Sequence, residues 1–325
     1  MEILVTGGAG YIGSHVILNL IEDGHRVIVV DNLITGRIEN IPNNVVFIEG
    51  SILDDKVLTK AFSNNIDLVV HLASLKDAGK SMENIEEYSN SNIIGTIKLL
   101  NAMINNNVKK IVFSSSAAVY GLPKYLPMDE KHPTTPINYY GYTKLFAEKS
   151  LHWYSELKDL TYASLRYFNA AGYDNKGRVS TVEKNPTNLL PIIMEVANGV
   201  RSELKLYGKD YKTNDGTAIR DYIHVSDLAN AHCKAIDYLR NKKNIILNLS
   251  TGKGYSVLDI IKTARDITDA KIPYSVVNRR LGDPEVLIAN STLANEILDW
   301  YPVNSNLTHL IKSMWNVYSN DKVSL

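Results

Sequence analysis

The chain has 325 residues, 45% hydrophobic and 22% charged, with 35 lysines and arginines against 35 aspartates and glutamates. That balance excludes the strongly basic composition of a nucleic-acid or membrane-surface binder. The length suits one large domain or two unequal ones with ample core. Cys233 is the only cysteine, so no intrachain disulfide forms; within an apolar helical run it reads as a small buried residue. The N-terminus enters a strand with no basic-then-apolar leader, and no apolar run is long enough for a bilayer. A reduced, cytoplasmic setting is the expectation.

Residues 2–6 read as a buried strand. Gly7-Gly8-Ala9-Gly10-Tyr11-Ile12-Gly13 follows as a turn opening a helix, and a second strand ends in Asp31, 21 residues after Gly10. Glycines there let the backbone approach a pyrophosphate at the helix N-terminus, where free N–H groups and the helix dipole favour an anion. Asp31 sits where a carboxylate accepts hydrogen bonds from an adenosine ribose. Asn32 rather than an arginine follows it, which favours NAD over NADP.

The alternation continues with strands at 45–48, 67–72, 110–116 and 162–169, and helices at 54–63, 83–106 and 139–157. Apolar runs separated by helices predict a mostly parallel sheet covered on both faces. Ligands of such sheets lie at the carboxyl ends of the strands, here the turn after Thr6, the segment after Leu72, Ser116 and Asn169.

Beyond Asn169 the pattern loosens. A helix is expected at 189–198, strands at 204–207 and 220–225, and a helix capped by Ser226 or Asp227. A last main-sheet strand at 245–249, a helix from Val257, a strand near 274–276 and two terminal helices complete the chain. The fold class is α/β: a Rossmann-type doubly wound parallel sheet in residues 1–169, with returns near 220–250. A smaller, interrupted, mixed C-terminal domain is expected over 170–325. Gly252-Lys253-Gly254 lacks P-loop spacing and reads as a turn. No metal site is visible; His71 and His224 sit in apolar strands and read as packed residues.

Tyr140 and Lys144 are four apart, so on a helix they share one face. Unaided, only about a thousandth of a tyrosine is phenolate at neutral pH. An ammonium about 5–6 Å away at an effective dielectric near 20 is worth about 3 kcal/mol, or about two pKa units. The pair is expected to work as a proton shuttle, although an ordinary surface helix carries the same spacing.

With these segments assembled, the chain resembles the UDP-glucose (UDP-galactose) 4-epimerases of the extended short-chain dehydrogenase/reductase superfamily over essentially its whole length. Thr6 through His15 with Asp31-Asn32-Leu33 carry the cofactor side of the resemblance. Phe113 through Gly121 and Tyr140…Lys144 carry the catalytic side. Arg166-Tyr167-Phe168-Asn169, Arg220 through Val225 and Arg279-Arg280-Leu281-Gly282-Asp283 carry the substrate side. The resemblance implies bound NAD, a UDP-sugar substrate and a homodimer built on helices 83–106 and 139–157. By it Tyr140 is the acid/base, Lys144 lowers its pKa and holds the nicotinamide ribose, and Ser116 binds the reacting hydroxyl. Gly7, Gly10, Tyr11, Ile12, Gly13, Asp31, Asn32 and Leu33 cradle the cofactor. Ser51, Ile52, Leu72, Ala73, Lys76 and Asn92 add contacts to it, and Phe168 borders the nicotinamide.

On the substrate side, the resemblance gives Asn169, Asn188, Arg220 and Arg280 to the diphosphate and nucleotide. Arginine suits a diphosphate because its fork donates bidentately. Leu189 and Leu206 line the same subsite, Tyr207 flanks the uracil and Asp283 takes the uridine ribose. Leu287, four residues on, limits bulk at C2 of the sugar, and leucine leaves room for an N-acetyl group. Two positions depart from the pattern: Ser51 replaces an aspartate that many members direct at the adenine, and Ser74 replaces a common glycine. Related dehydratases and decarboxylases resemble this chain but carry an acid beside the serine, where Ala117 and Ala118 stand here. A non-catalytic dinucleotide-sensing protein on the same scaffold would be expected to lack Tyr140 or Lys144.

Overall fold

The computed structural model describes residues 1–183, 186–240, 243–280 and 283–320. In chain order the strands are β1 (Glu2–Thr6), β2 (Arg26–Asp31), β3 (Val46–Glu49), β4 (Leu68–His71), β5 (Lys110–Ser116), β6 (Thr161–Tyr167), β7 (Asn169–Ala171), β8 (Leu204–Tyr207), β9 (Ile219–His224), β10 (Ile245–Leu249), β11 (Gly254–Ser256), β12 (Tyr274–Val277) and β13 (Val286–Leu287). The helices are α1 (Tyr11–Glu22), α2 (Asp55–Phe62), α3 (Ala78–Ser81), α4 (Ile85–Tyr88), α5 (Gly95–Asn105), α6 (Tyr139–Lys158), α7 (Leu189–Ala197), α8 (Val225–Leu239), α9 (Val257–Thr268), α10 (Thr292–Leu298) and α11 (Leu307–Tyr318).

The main sheet has seven parallel strands in the order β10-β6-β5-β4-β1-β2-β3. Side chains alternate across it because successive Cβ atoms of a strand point to opposite faces. Ile3 and Val5 pack with Val16 of α1 and Leu228 of α8 on one face. Leu4 packs with Leu58 of α2, Leu99 of α5 and Leu151 of α6 on the other. Apolar residues are needed on both faces, so the strands read as continuous apolar runs. The strand order reverses between β1 and β4. That switch point opens a crevice at their carboxyl ends, the position where such sheets hold ligands.

The second unit contains a sheet ordered β11-β9-β13, with β7 also pairing β9, and a β8–β12 pair. Residues of α7, α9 and α11 share an apolar cluster beneath it. The strand expected as one run over 162–169 divides at Phe168: β6 stays in the main sheet, while β7 joins β9. Phe168 and Asn169 therefore lie where the chain passes from one sheet to the other.

Two local expectations are corrected. The cap of α8 is neither Ser226 nor Asp227 but His224, whose ring Nδ1 accepts from the Ser226 N–H at 3.1 Å. Asp227 is turned instead to Asn304 and Ser305, which donate to its carboxylate and tie α8 to the C-terminal segment. The helix expected over 83–106 is α4 and α5 joined through a π-helical segment, Ser89–Ile94. Such segments occur often at functional sites, and this one turns Asn92 inward to 3% exposure. Cys233 is buried, as its apolar context requires, and Gly252 forms the expected turn at φ +70°.

Candidate active site

The crevice begins at Gly7, whose φ of +76° turns the chain out of β1. A Cβ at Gly7 would lie 2.6 Å from the Ala73 nitrogen, and one at Gly13 would lie 2.2 Å from the Gly7 carbonyl oxygen. Only glycine lets the turn, the start of α1 and the Leu72–Ala73 segment approach so closely. The helix starts at Gly10 without a side-chain cap, which leaves its first N–H groups suited to an anion. Tyr11 turns its hydroxyl away to donate to the Gly172 carbonyl, and Ile12 packs on the core.

Asp31 closes the far side of this cradle. Its two carboxylate oxygens accept from the Ala9 and Leu33 N–H groups, each at 2.9 Å. Burial pushes its carboxyl up, and those two bonds oppose the shift. Asn32 is exposed beside it, and Leu33 takes a left-handed φ of 58°. Ser51 Oγ accepts from the Leu53 N–H, while Ile52 is buried beneath Gly95. Asn92 grips the Leu75 backbone through both its oxygen and its amide, and donates to Thr143. Lys76 pairs with Glu183 at 2.6 Å. The uncapped helix start, the glycine-only approach and the anchored acid fit an adenine dinucleotide such as NAD.

At the carboxyl end of β5, Ser116 lies in register with Tyr167 and its hydroxyl accepts from the Ala118 N–H at 3.1 Å. Asn138 caps α6 by accepting from the Gly141 N–H at 2.8 Å, and the Tyr140 N–H donates to Ser81 Oγ at 3.0 Å. Tyr140 and Lys144 share the helix face expected of them, with Lys144 Nζ 5.8 Å from the Tyr140 ring centre. Burial acts on both groups. Burial pushes the Tyr140 phenol up to about 12, opposed by a hydrogen bond with Ser116. Burial also pulls the Lys144 ammonium down to about 7, opposed by the charge of Glu148. Lys144 is 3% exposed and donates to the Ser114 carbonyl at 2.8 Å.

The substrate-side residues gather across the cleft. Arg220 pairs with Asp283 at 2.5 Å, so two groups expected to touch different parts of a ligand are joined to each other. The Arg280 guanidinium lies 4.1 Å from the Tyr207 ring centre, a cation–π stack. Asn169 donates to the Asp221 carbonyl at 2.8 Å. Asn188 precedes Leu189 as the N-cap of α7 without spending its side chain on the helix. Leu206 needs correction: strand alternation turns its side chain into the core, and the residue is 1% exposed, so its side chain does not line the cleft. Leu287 lies opposite Arg220 in β13 and, like Phe168, packs on the cluster of Val119, Tyr120, Met128 and Leu145. Of the Arg279–Asp283 motif, Leu281 and Gly282 lie outside the described residues.

Glu148 and Arg166 escaped the sequence reading as site residues. The legible signal was the spacing Tyr140, Lys144, Glu148, a single helix face continued by one more turn.

A family model described as "NAD dependent epimerase/dehydratase family" matches residues 3–250. The UDP-glucose 4-epimerase of Halalkalibacterium halodurans is 47% identical over 97% of this chain and 95% of its own. The crystal structure of UDP-glucose 4-epimerase from Brucella ovis in complex with NAD superposes with a TM-score of 0.95 at 39% identity, covering 98% of both chains. The enzyme from Bifidobacterium longum, in complex with NAD+ and UDP, gives 0.94 at 38% identity over 99% of both.

Proposed function

The chain belongs to the NAD dependent epimerase/dehydratase family, and from that premise we propose that it interconverts UDP-glucose and UDP-galactose by inverting C4. The observation that carries this reading is the convergence of Tyr140, Lys144 and Ser116, with only Ala117 and Ala118 following the serine. Elimination of water or loss of CO2 calls for a further acid at that point, and an alanine cannot serve. Incubation with a panel of UDP-sugars, read by NMR, tests the proposal. UDP-glucose and UDP-galactose are expected to equilibrate, and a dehydrated or decarboxylated product, or none, contradicts it.

Tyr140 phenolate takes the O4 proton while Ser116 holds that oxygen. The chemistry NAD supplies when bound is reversible acceptance of hydride from C4, with a ring charge that favours ionised Tyr140. The glycine turn and the start of α1 would hold its diphosphate, Asp31 its adenosine ribose and Lys144 its nicotinamide ribose, with Phe168 the residue that would border the ring. The resulting 4-keto sugar turns about the diphosphate linkage, which Arg220 and Arg280 retain. As C4 recovers the hydride on its opposite face, Tyr140 returns its proton to O4. Proton and charge balance at each turnover, so the cofactor need not leave.

Substrate breadth falls to Leu287. Its packing on the same cluster as Phe168 supports a role at the sugar pocket, where its side chain is shorter than a tyrosine and lacks the ring. UDP-GlcNAc and UDP-GalNAc are expected to be interconverted as well. Leu287→Tyr is expected to lower kcat/KM for the acetylated pair about tenfold or more relative to the plain pair, the scale of steric discrimination in a pocket. Equal losses for both pairs, or no wild-type activity on UDP-GlcNAc, would show that Leu287 is not the gate.

The assembly proposed is a homodimer in the cytoplasm. A groove between α5 and α6 is lined by Ile104, Trp153, Tyr154 and Leu157. Trp153 is 61% and Leu157 69% exposed, an apolar surface that a self-complementary two-fold contact would cover. Light scattering is expected to give twice the chain mass for the wild type and the chain mass for Trp153→Glu/Leu157→Glu. A wild-type monomer at micromolar concentration would contradict the dimer. The buried thiol of Cys233 suits a reducing compartment, and no described helix is long and apolar enough to cross a membrane.

A further inference from the structure

Residues 172–183 leave β7 and carry neither helix nor strand. Long irregular connections in compact domains usually serve a function. This one is firmly tied down. Tyr173 and Val179 are buried, in the apolar cluster that also takes Leu18 of α1. Polar groups of the segment reach back to the cofactor half of the molecule. The Tyr11 hydroxyl donates to the Gly172 carbonyl, and the Asp174 N–H donates to His15 Nε2 at 3.0 Å. Lys176 and Arg178 both pair with Glu22, at 2.6 and 2.7 Å. Arg178 is held in turn by Asp174 at 2.8 Å. These contacts follow α1 from its first residue to its last.

The next two contacts leave α1. Thr181 Oγ1 donates to Asn40 Oδ1 at 2.5 Å, and Asn40 Nδ2 donates to the Ala9 carbonyl of the glycine turn at 3.2 Å. Lys76 Nζ pairs with Glu183 at 2.6 Å. Ala9 follows β1 and Lys76 follows β4, so the two anchors stand on opposite banks of the crevice. Only Val182 separates Thr181 from Glu183, and an extended chain covers at most about 3.6 Å per residue. Residues 181–183 therefore bridge the crevice beside the glycine turn, where the diphosphate of a dinucleotide belongs.

We propose that residues 172–183 form a strap across the cofactor crevice, closed by the Lys76–Glu183 ion pair, and that NAD enters and leaves only when the strap lifts. The inference rests on the reading of this crevice as the NAD site. Loops that close over a ligand commonly gate its release. Each anchor here joins protein to protein, so the strap holds its place without gripping the cofactor. An ammonium has three N–H donors; Lys76 gives one to Glu183 and has others for the diphosphate expected beside it. The reaction returns NAD to its starting state at each turnover, so a slow gate does not slow catalysis.

The test is exchange of bound NAD in the full-length holoenzyme. The protein is loaded with isotope-labelled NAD, excess unlabelled NAD is added, and the retained label is followed with time. Glu183→Gln removes the closing pair while keeping the side chain's size. Exchange is expected to quicken about fivefold, the upper scale of a partly exposed ion pair. Glu22→Gln frees Lys176 and Arg178 at the far end of α1. At 1.5 Å per residue, Glu22 lies about 16 Å along the helix from Tyr11, too far to touch the cofactor. It is expected to quicken exchange about threefold, and kcat is expected to stay unchanged in both variants. Glu22 and Glu183 are partly exposed, so both variants keep the fold. Faster exchange in Glu183→Gln alone would mean a local contact at Lys76 and would overturn the strap. Unchanged exchange in that variant overturns it too, and slower exchange would show that Glu183 competes with the diphosphate for Lys76. The readout does not require turnover. The predicted pattern in a protein that converts no UDP-sugar would leave the strap standing and remove the functional reading; unchanged exchange in an active epimerase would remove the strap alone.

Discussion

Tyr140→Phe is expected to lower kcat by about two orders of magnitude or more, within the range of a lost general acid/base, while NAD binding persists. The substitution removes one oxygen. The ring keeps its place near Lys144 Nζ, and the bond to Ser81 comes from the Tyr140 backbone N–H, so the start of α6 survives. No neighbouring tyrosine replaces the hydroxyl. The Tyr139 hydroxyl is engaged with that of Ser89, and Tyr142 stacks on Tyr139 at 5.5 Å with 47% of its surface exposed. Tyr139→Phe and Tyr142→Phe are the controls, expected to stay within a few-fold of wild type. The phenol titrates high, so wild-type activity is expected to rise with pH as Tyr140 ionises; the variant's residual activity loses that rise. Steady-state turnover of UDP-galactose across pH checks both statements, and near-normal kcat in Tyr140→Phe would sink the mechanism.

Gly141→Ala is expected to lower kcat by about a hundredfold through one methyl group that touches no ligand. The added Cβ would lie 2.3 Å from the Ala118 carbonyl oxygen and 3.1 Å from Pro136 Cβ. Backbone opposes it on the Ala118 side, so α6 and the turn after Ser116 must separate. Tyr140 sits on one of those elements and Ser116 on the other. A shift of about 1 Å between catalytic groups costs about a hundredfold in rate. Alanine gains about 1 kcal/mol over glycine in helix propensity, whereas overpacking costs about 1–3 kcal/mol; a net loss of stability follows. Turnover and thermal melting read the two effects separately. An active variant with a raised melting temperature would mean that the turn yields without displacing Ser116.

The main sheet was legible because its signals are local. Apolar runs marked the strands, and Asp31 at the end of β2 marked the cradle. Where the reading failed, the deciding interaction lay outside the segment. Nothing within 220–225 distinguishes a main-sheet strand from β9; its partners β7, β11 and β13 come from distant parts of the chain. The π-helical turn at Ser89–Ile94 likewise follows from Asn92 reaching back to Leu75 and across to Thr143. Spacing placed Tyr140 beside Lys144 correctly but carried no sign of how deeply both are buried. A pKa depends on how far burial strips both groups of water, and an i,i+4 interval carries no information on that. Arg166 was read as part of a family motif, and its fork onto Glu148 became visible only once β6 and α6 were packed together.

The central claim is that C4 is inverted by hydride that leaves and returns within one site, with Tyr140 moving only the O4 proton. The direct measurement is turnover of UDP-galactose to UDP-glucose in D2O in the presence of NAD, followed by NMR at C4. A hydride retained in the site does not exchange with solvent, so the account predicts UDP-glucose bearing protium at C4 through many turnovers. Deuterium at C4 would contradict it, since the inverted hydrogen would then have come from water as a proton.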